Sequence, residues 1–449
     1  MNGGEPADTR ETDREWPGAI ASWYVVSILL IGYSLSFADR MVMSLLIAPI
    51  KQDLGISDVQ VSLLIGFAFA TFYVLMGLPF GYLADRMNRV NMIVAGVLTW
   101  SIATALCGMA GSFTTLFLAR MAVGAGEAVL APCAYSLLGD YFPREKLGRA
   151  ISVYVVGNPL GTGLALVLGG ALIAVVTATP TLVLPLIGSI ASWRAVFIGL
   201  ALPGIALALL MMLTVAEPKR RGPKRDTAGQ GQLTESFRFM RAHRSTFLLQ
   251  LGGTSLLSAS VYGVMAWIPA FLTRTHGMPP VEIGLYYGLI LGIGGVVGLL
   301  ASGVWADRLM GRGVLDAYPR VMMWAAVAEI IPMVAAPLVP GATAALILIA
   351  LGVVANGATI GVSAAAVQFI TPARLRGQIA SIYVLLASIA GIGLGPTTVA
   401  FLTDYVFGRE DALRYSLALI SAITLPGAAI CLMRVLPYYR RSAVANEDG

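Results

Sequence analysis

The sequence predicts an all-α membrane protein whose twelve transmembrane helices form two pseudo-symmetric bundles of six, with both termini in the cytoplasm. Three observations lead to this fold class: the composition, the apolar runs and an internal repeat. Of the 449 residues, 57% are hydrophobic and 12% are charged, whereas about a quarter of the residues in a soluble domain are charged. The 50 glycines recur within the apolar runs, where small residues allow membrane helices to approach closely.

The apolar runs supply the twelve spans, since a helix needs roughly 20 apolar residues to cross a bilayer. Numbered in chain order as helices 1 to 12, they are 20–47, 58–83, 91–110, 114–138, 148–174, 192–215, 246–272, 282–305, 320–338, 342–369, 377–403 and 412–436. The domains predicted from them are a cytoplasmic tail at 1–19, an N-terminal bundle at 20–215, a cytoplasmic linker at 216–245, a C-terminal bundle at 246–436 and a cytoplasmic tail at 437–449.

The distribution of Lys and Arg predicts the orientation, because cytoplasmic loops carry an excess of basic residues. With both termini inside, 23 of the 30 Lys and Arg residues lie in or beside cytoplasmic segments, and four lie outside. Residues 1–19 are polar and acidic and show no cleavable signal peptide. The first apolar run is therefore expected to remain in the protein as a span.

Composition and motifs argue against several other functions. The net charge is +6, but no basic segment is interleaved with aromatic residues as on a nucleic-acid-binding surface. Cys107, Cys133 and Cys431 lie far apart in apolar runs, so neither a disulfide framework nor a metal site is predicted. No cofactor is predicted, and the phosphate-binding G-x-x-x-x-G-K-[ST] loop is absent from the sequence, which favours a gradient over ATP as the energy source.

One motif recurs at the same place in the two halves. GYLADRMNR, Gly81 to Arg89, follows helix 2, and GVWADRLMGR, Gly303 to Arg312, follows helix 8 with an offset of 222 residues. Duplicated six-helix halves, with substrate bound near the membrane midplane between them, are a recurring transporter architecture. The repeat therefore predicts a secondary transporter.

These motifs resemble the signatures of the major facilitator superfamily. The loop signature after helix 2 is matched by Gly81, Asp85, Arg86 and Arg89, and the helix 4 signature by Leu116, Arg120, Gly124 and Gly126. Asn88 stands where the family usually has glycine, and Val90 where it prefers a base. The copy after helix 8 contains Gly303, Asp307, Arg308 and Arg312.

A finer resemblance is to the spinster branch, which comprises sphingolipid and lysolipid transporters and their bacterial relatives. It rests on FADR in helix 1, FGYLADRMNR after helix 2, ARMAVGAGEA in helix 4 and AWIPAFLTR late in helix 7. The resemblance implies a multi-pass protein of a bacterial inner membrane, in contact with the lipid bilayer. We expect it to be a monomer.

Four charged residues fall well inside the predicted spans of the N-terminal half, where charges are costly and usually functional. Asp39 and Arg40 lie on helix 1, about two-thirds of the way across at a rise of 1.5 Å per residue. Arg120 lies at a similar depth on helix 4, and Glu127 shares its helix face two turns later. The resemblance implies that helices 1 and 4 line the central cavity, so we expect the four side chains to converge on one wall.

Our hypothesis gives these charges coupled roles. Asp39 and Glu127 are the proton-sensitive acids, and Arg40, with Arg120, holds an anionic headgroup, since arginine grips phosphate or carboxylate bidentately. Protonation of an acid would free its arginine for substrate. The predicted substrate contacts of this half are Arg40, Tyr33, Ser36, Arg120 and Glu127. The alternative is a static polar cluster that fixes helix packing.

The C-terminal half offers uncharged polar and aromatic side chains instead. Its predicted substrate contacts are Tyr262, Trp267, Asn356 and Tyr383. A charged wall facing an uncharged one suits an amphiphile, although aromatic side chains also serve plain packing. Glu329 lies in helix 9, which is peripheral in the superfamily. We expect it to make a local hydrogen bond or to be a neutral acid.

The repeated loop motif is expected to form a cytoplasmic gate, as the resemblance implies. Asp85 and Asp307 would each cap the positive end of a helix of the other half, with Gly81 and Gly303 allowing close approach. The gating set is Gly81, Asp85, Arg86, Arg89, Gly303, Asp307, Arg308 and Arg312. The alternative is a set of interfacial charges that only fixes topology.

The predicted function is therefore proton-coupled transport of an amphipathic organic anion, of the lysolipid or sphingoid phosphate class, by alternating access. A transporter of small water-soluble organic acids or drugs is the alternative within the superfamily. A membrane-embedded lipid enzyme would need a nucleophile and a base, or a metal cluster, and no motif for either is present. A channel would need a continuous polar face through both halves, which is also absent.

Overall fold

The structure is a computed structural model that describes residues 16–177, 181–184, 188–220, 230–372 and 375–447. Residues 1–15 and 448–449 of the predicted tails and residues 221–229 of the predicted linker lie outside the described residues. Within the described part, eleven helices are long and apolar enough to cross a membrane. They are Ala19–Leu45, Asp58–Ala84, Arg89–Met109, Phe113–Tyr141, Lys146–Ile173, Ser192–Thr214, Arg244–His276, Pro280–Met310, Ala342–Phe369, Arg376–Phe407 and Glu410–Val444.

A further helix, Ala317–Ala335, occupies the place of predicted helix 9. It is 19 residues long and packs against helices 10 and 12. With it, the described chain has a helix at each of the twelve predicted positions, and these keep the numbers 1 to 12. Helix 5 extends over Arg144–Thr177. Helix 12 begins after a short 3-10 turn at Glu410–Ala412 and continues to Glu447, past its predicted end at 436.

Four additional elements lie outside the spans. Helix 1 is followed by a short helix, Ile47–Leu54, which ends at Gly55 with a φ of 63° that glycine adopts without strain. Strands Thr181–Leu184 and Gly188–Ala191 pair antiparallel between helices 5 and 6. A helix at Gln230–Ala242 leads into helix 7.

Several membrane helices depart from regular α geometry at places that matter for the site. Helix 2 contains a π-helical turn at Leu63–Phe67, and helix 8 contains another at Ile290–Gly294. Helix 4 is divided into Phe113–Glu127 and Leu130–Tyr141, so that Glu127 ends its first segment. Such irregular turns are frequent at functional sites, and the Leu64 carbonyl of the first one accepts a hydrogen bond from Arg120.

Glycines bring the two halves into contact near the end predicted to be external. Helix 5 meets helix 8 at Gly163 and Gly170, where a Cβ atom would collide with the backbone of Gly288 and of Pro280. A Cβ on Gly66 of helix 2 would likewise collide with the backbone of helix 11 at Ile392. Close backbone approach through small residues is the usual packing mode of membrane helices. It holds the halves together on that side.

Candidate substrate site and gates

The site begins with an ion pair between helices 1 and 4. Arg40 donates from Nε and from Nη2 to Oε2 of Glu127, at 2.9 and 2.6 Å. The Ser36 hydroxyl, one turn before Arg40, donates to the same oxygen at 2.6 Å. The Glu127 side chain is fully buried, whereas that of Arg40 is 10% exposed. The arginine is therefore the more accessible member of the pair.

Three aromatic rings surround the Arg40 guanidinium. Its central carbon lies 4.6, 4.4 and 4.9 Å from the ring centroids of Phe37, Phe69 and Tyr73. A cation is attracted to the face of an aromatic ring, and more strongly where water is excluded. The rings therefore contact the guanidinium in addition to its ion pair with Glu127.

Asp39 and Arg120 lie inside the N-terminal bundle, away from this pair's hydrogen bonds. Asp39 accepts from the Thr104 hydroxyl of helix 3 through Oδ2 at 2.7 Å, and its Oδ1 is buried with no partner among the described residues. Arg120 donates from Nε to the Leu64 carbonyl at 3.3 Å. Both side chains are buried. Neither is exposed to acyl chains, and neither lines the central cavity.

A cavity of about 230 Å³ lies between the two halves. Helices 1 and 5 supply one wall, and helices 7, 8, 9 and 10 supply the other. Among its lining residues Arg40 alone is charged, and most of the others are apolar. The polar ones besides Arg40 are Asn158, Thr162, Thr254, Ser258, Tyr262, Asn356, Thr359 and Ser363. The cavity is thus an apolar chamber with one cation on its N-terminal wall.

Three of the nine predicted substrate contacts line this cavity, namely Arg40, Tyr262 and Asn356. Ser36 and Glu127 lie behind Arg40 as its partners. Tyr33 does not face the cavity, because its ring stacks on Tyr154 of helix 5 at 4.8 Å.

Trp267 and Tyr383 also lie outside the cavity lining, each for a different reason. Trp267 is fully buried and donates from its indole nitrogen to the Pro396 carbonyl of helix 11. The Tyr383 hydroxyl hydrogen-bonds to that of Thr254, a lining residue. Trp267 fixes helix 7 against helix 11, and Tyr383 supports the cavity wall from behind.

Sequence reasoning missed a cluster of charges between the halves at the end predicted to be external. This external ion cluster consists of Lys51, Asp58, Arg274 and Glu410. Lys51 pairs with Asp58 at 2.5 Å and with Glu410 at 2.7 Å. Arg274 donates to both oxygens of Asp58 at 2.6 and 2.9 Å. Lys51 and Arg274 could have been singled out, because they are two of the four basic residues predicted to be external. Their acidic partners could not, because these lie up to 359 positions away in the sequence.

Within the described residues, the predicted cytoplasmic gate residues do not join the halves in this conformation. Asp85, Arg86, Asp307, Arg308 and Arg312 are exposed. A Cβ built on Gly81 or Gly303 would meet nothing within 4 Å. The main chain after helix 2 is bound instead by Arg220, which donates to the carbonyls of Ala84, Asp85 and Met87. At the end predicted to be cytoplasmic, the charged side chains of Asp85, Arg86, Asp307, Arg308 and Arg312 are therefore exposed.

Arg89 differs from the rest of the predicted gating set. Its side chain is 1% exposed and pairs with Asp140 at 2.5 Å and with Glu217 at 2.7 Å. It also donates to the backbone and hydroxyl of Ser136. These partners all belong to helix 4 or follow helix 6, so Arg89 holds the N-terminal half together and does not bridge the halves.

Comparison with known proteins gives consistent matches. The Major Facilitator Superfamily model matches residues 29–396. An MFS-type efflux pump of Mycolicibacterium smegmatis is 30% identical, over 97% of this chain and 97% of that protein. A probable galactarate/D-glucarate transporter of Bacillus subtilis is 26% identical, over 65% of this chain and 66% of that protein.

A solved structure of a similar protein has the same fold as this chain. It is the crystal structure of a bacterial homolog to the human lysosomal transporter Spinster in an inward-facing and unoccupied conformation. It is 27% identical, with a TM-score of 0.77, and the match covers 96% of this chain and 99% of that one. These matches confirm the predicted all-helical fold and the prediction of a transporter that is not an enzyme. They also confirm that the chain is a multi-pass integral membrane protein, and the bacterial relatives indicate the inner membrane. The chain belongs to the Major Facilitator Superfamily and is a spinster-like member of it.

Proposed function

We propose that this protein is a proton-coupled secondary active transporter of an amphipathic organic anion, of the lysolipid or sphingoid phosphate class, that works by alternating access. The observation that carries the proposal is the asymmetry of the cavity, in which Arg40 is the one charged lining residue among mainly apolar side chains. An anionic headgroup would bind at Arg40, and an alkyl chain would lie against the apolar lining. Arginine suits this role because its planar fork matches phosphate and carboxylate oxygens.

The size of the cavity limits how much of a lipid it holds. Its volume of about 230 Å³ is below the roughly 300–1,000 Å³ of pockets for drug-sized ligands. In this conformation it would accept a headgroup and the first part of a chain. The rest of a long chain would require the halves to separate further.

Proton coupling would follow from competition for Arg40. Glu127 occupies Nε and Nη2 of the guanidinium, which are also the donors for a bidentate anion. A proton arriving on Glu127 would neutralise it and release Arg40 for the anionic group. Asp39, whose Oδ1 has no partner among the described residues and whose Oδ2 is bonded to Thr104, is the second proposed proton acceptor of the N-terminal half.

Alternating access is supported by the contrast between the two ends. The external ion cluster joins the halves at one end, while the repeated loop motifs at the other end are exposed. With the predicted orientation, this is an inward-facing arrangement. We propose that closure of the cytoplasmic side brings Asp85, Asp307 and their neighbouring arginines against the opposite half, while the external ion cluster breaks.

Transport of small water-soluble organic acids is the second candidate. The similarity to a probable galactarate/D-glucarate transporter and the small cavity favour it. Arg40 would bind a carboxylate as readily as a phosphate. The mainly apolar lining favours the amphiphile, because a sugar acid would leave several hydroxyls without partners.

Uptake by purified protein in proteoliposomes tests the proposal. We expect saturable movement of sphinganine 1-phosphate that rises with an imposed pH gradient and is lost in Arg40→Ala. Arg194→Ala is the matched control, since Arg194 pairs with Asp53 far from the cavity. Transport of galactarate without transport of the lipid would replace the first proposal with the second.

A further inference from the structure

Helix 9 buries a carboxyl group that the proposed transport mechanism does not use. Glu329 is 2% exposed, and its Oε2 has no hydrogen-bond partner among the described residues. The side chain of Asn356 on helix 10 is a neighbour that acts on this carboxyl. Burying an unsatisfied polar group is costly, so its presence calls for an explanation.

Asn356 connects this carboxyl to the cavity. It lies on the C-terminal wall, across from the half that carries Arg40, and its Nδ2 is buried without a partner among the described residues. Met322 also lines the cavity. It precedes Glu329 by seven residues, about two turns, so the two share a face of helix 9. Glu329 therefore lies one layer behind the cavity wall.

The two groups have complementary hydrogen-bonding chemistry. A carboxyl oxygen accepts from an amide N–H in either protonation state, whereas the side-chain carbonyl of asparagine only accepts. Among the described residues, the donor Nδ2 of Asn356 and the acceptor Oε2 of Glu329 are both without a hydrogen-bond partner, so each offers what the other lacks. The Asn356 carbonyl oxygen Oδ1 remains for the cavity side, where it can accept one hydrogen bond from a ligand.

We infer that Glu329 positions Asn356 as a second recognition point, opposite Arg40, for a hydroxyl or amino donor of the transported molecule. The ligand would then carry two features: an anionic group for Arg40 and a hydrogen-bond donor for Asn356. This inference rests on the proposal that the cavity is the substrate site, but not on the lipid class proposed for it. Asn356 contacts the ligand, and Glu329 acts through Asn356 as a positioning residue.

Two matched ligand pairs test the inference with purified full-length protein. The first pair is sphinganine 1-phosphate, which carries a hydroxyl and an amine, and hexadecyl phosphate, which lacks both. The second pair is galactarate, which carries four hydroxyls, and adipate, a diacid of the same length without them. Dissociation constants are measured for wild type and for the variants Asn356→Leu, Glu329→Met and Glu329→Gln.

We expect wild type to prefer the donor-bearing member of the pair that binds by about tenfold, the effect of one or two good hydrogen bonds. Asn356→Leu and Glu329→Met should reduce this preference to within about twofold, while the donor-free member binds as before. Glu329→Gln should keep the preference, because the glutamine carbonyl can still accept from the Asn356 amide. Asn158→Leu, the same change on the opposite wall, should leave it unaltered.

A preference that persists in both Asn356→Leu and Glu329→Met would overturn the inference, as would an equal loss for both members of a pair. Loss of the preference in Asn158→Leu alone would place donor recognition on the other wall and overturn it as well. Binding of the diacid pair without the lipid pair would end the amphiphile proposal while still testing Asn356 and Glu329. If neither pair binds, both proposals fall.

Discussion

Arg40 and Glu127 meet across helices 1 and 4 through one carboxylate oxygen, with Nη2 2.6 Å from Oε2. Arg40 Nε and the Ser36 hydroxyl donate to the same oxygen, while Oε1 is buried with no partner among the described residues. Charge-assisted hydrogen bonds of this kind are strong. The neighbouring Oε1 nevertheless remains unsatisfied, so the pair is not a closed unit and can respond to a proton or an anion.

Replacing Arg40 with lysine tests whether the shape of the cation matters as well as its charge. Lys keeps a positive charge but cannot form the planar fork, so stacking among the three rings of Phe37, Phe69 and Tyr73 is lost. We expect Arg40→Lys to raise the KM for uptake of the anion at least about tenfold, in line with the loss of charged hydrogen bonds. Arg194→Lys serves as control. An unchanged KM in Arg40→Lys would show that contacts with these three rings do not contribute to binding.

Replacing Asp39 with asparagine separates binding from coupling. Asparagine can hydrogen-bond with Thr104 but cannot take up a proton. We expect Asp39→Asn to exchange labelled substrate across the membrane at a rate within about threefold of wild type, yet to show no stimulation by a pH gradient. Thr104→Val retains the acid and should keep the stimulation. Gradient-driven accumulation by Asp39→Asn would remove this residue from the coupling step.

Replacing Asp58 with asparagine should weaken the external ion cluster and favour opening at that end. The Asp58 side chain is fully buried between Lys51 and Arg274, and removing one partner of a buried pair costs about 3–5 kcal/mol. We expect an impermeant maleimide added outside to label a cysteine at Ser258, a cavity position, at least about fivefold faster in Asp58→Asn. The native cysteines are replaced in this background.

Asp53→Asn is the matched control for that experiment, because Asp53 pairs with Arg194 within the N-terminal half at 2.8 Å. Its labelling rate should equal that of the reference protein. Equal rates in Asp58→Asn and Asp53→Asn would mean that the external ion cluster does not hold the halves closed.

Replacing Arg89 should affect stability far more than replacing Arg86. Arg89 is buried between Asp140 and Glu217, so Arg89→Ala removes one partner of a buried ion pair, at a cost of about 3–5 kcal/mol. Arg86 is exposed, and its guanidinium lies over the Tyr82 ring. Thermal unfolding in detergent should show a clear fall in Tm for Arg89→Ala and little change for Arg86→Ala. Equal Tm values would contradict the assigned structural role.

Asp39 and Arg40 illustrate how far the sequence predicts the site. Their adjacency inside an apolar run indicated function, and both are held within the protein. We expected both to converge on one wall with Arg120 and Glu127, but successive residues on a helix point about 100° apart because there are 3.6 residues per turn. Asp39 therefore meets Thr104 of helix 3, whereas Arg40 meets Glu127 and the cavity.

Trp267 and Tyr383 show the same limit in the other half. Their residue types predicted a cavity wall, yet both are used for contacts between helices. The position of each helix was predicted, because the bilayer thickness sets the length of an apolar run, although helix 12 continues past its predicted end to Glu447. Which face of each helix points inward depends on the neighbouring helices, and the weak amphipathicity of these spans gives little indication of it.

Taken alone, the sequence determined the membrane environment, the helix at each of the twelve positions, the transporter class and the superfamily. These follow from local composition and from short contiguous motifs. The tertiary structure alone decided that Arg40 is the one charged residue lining the cavity and that the cavity residue Asn356 neighbours the buried Glu329. It also decided that the halves are joined by Lys51, Asp58, Arg274 and Glu410. The contacts that join the halves link residues up to 359 positions apart, and their partners are selected by packing, which no local pattern records.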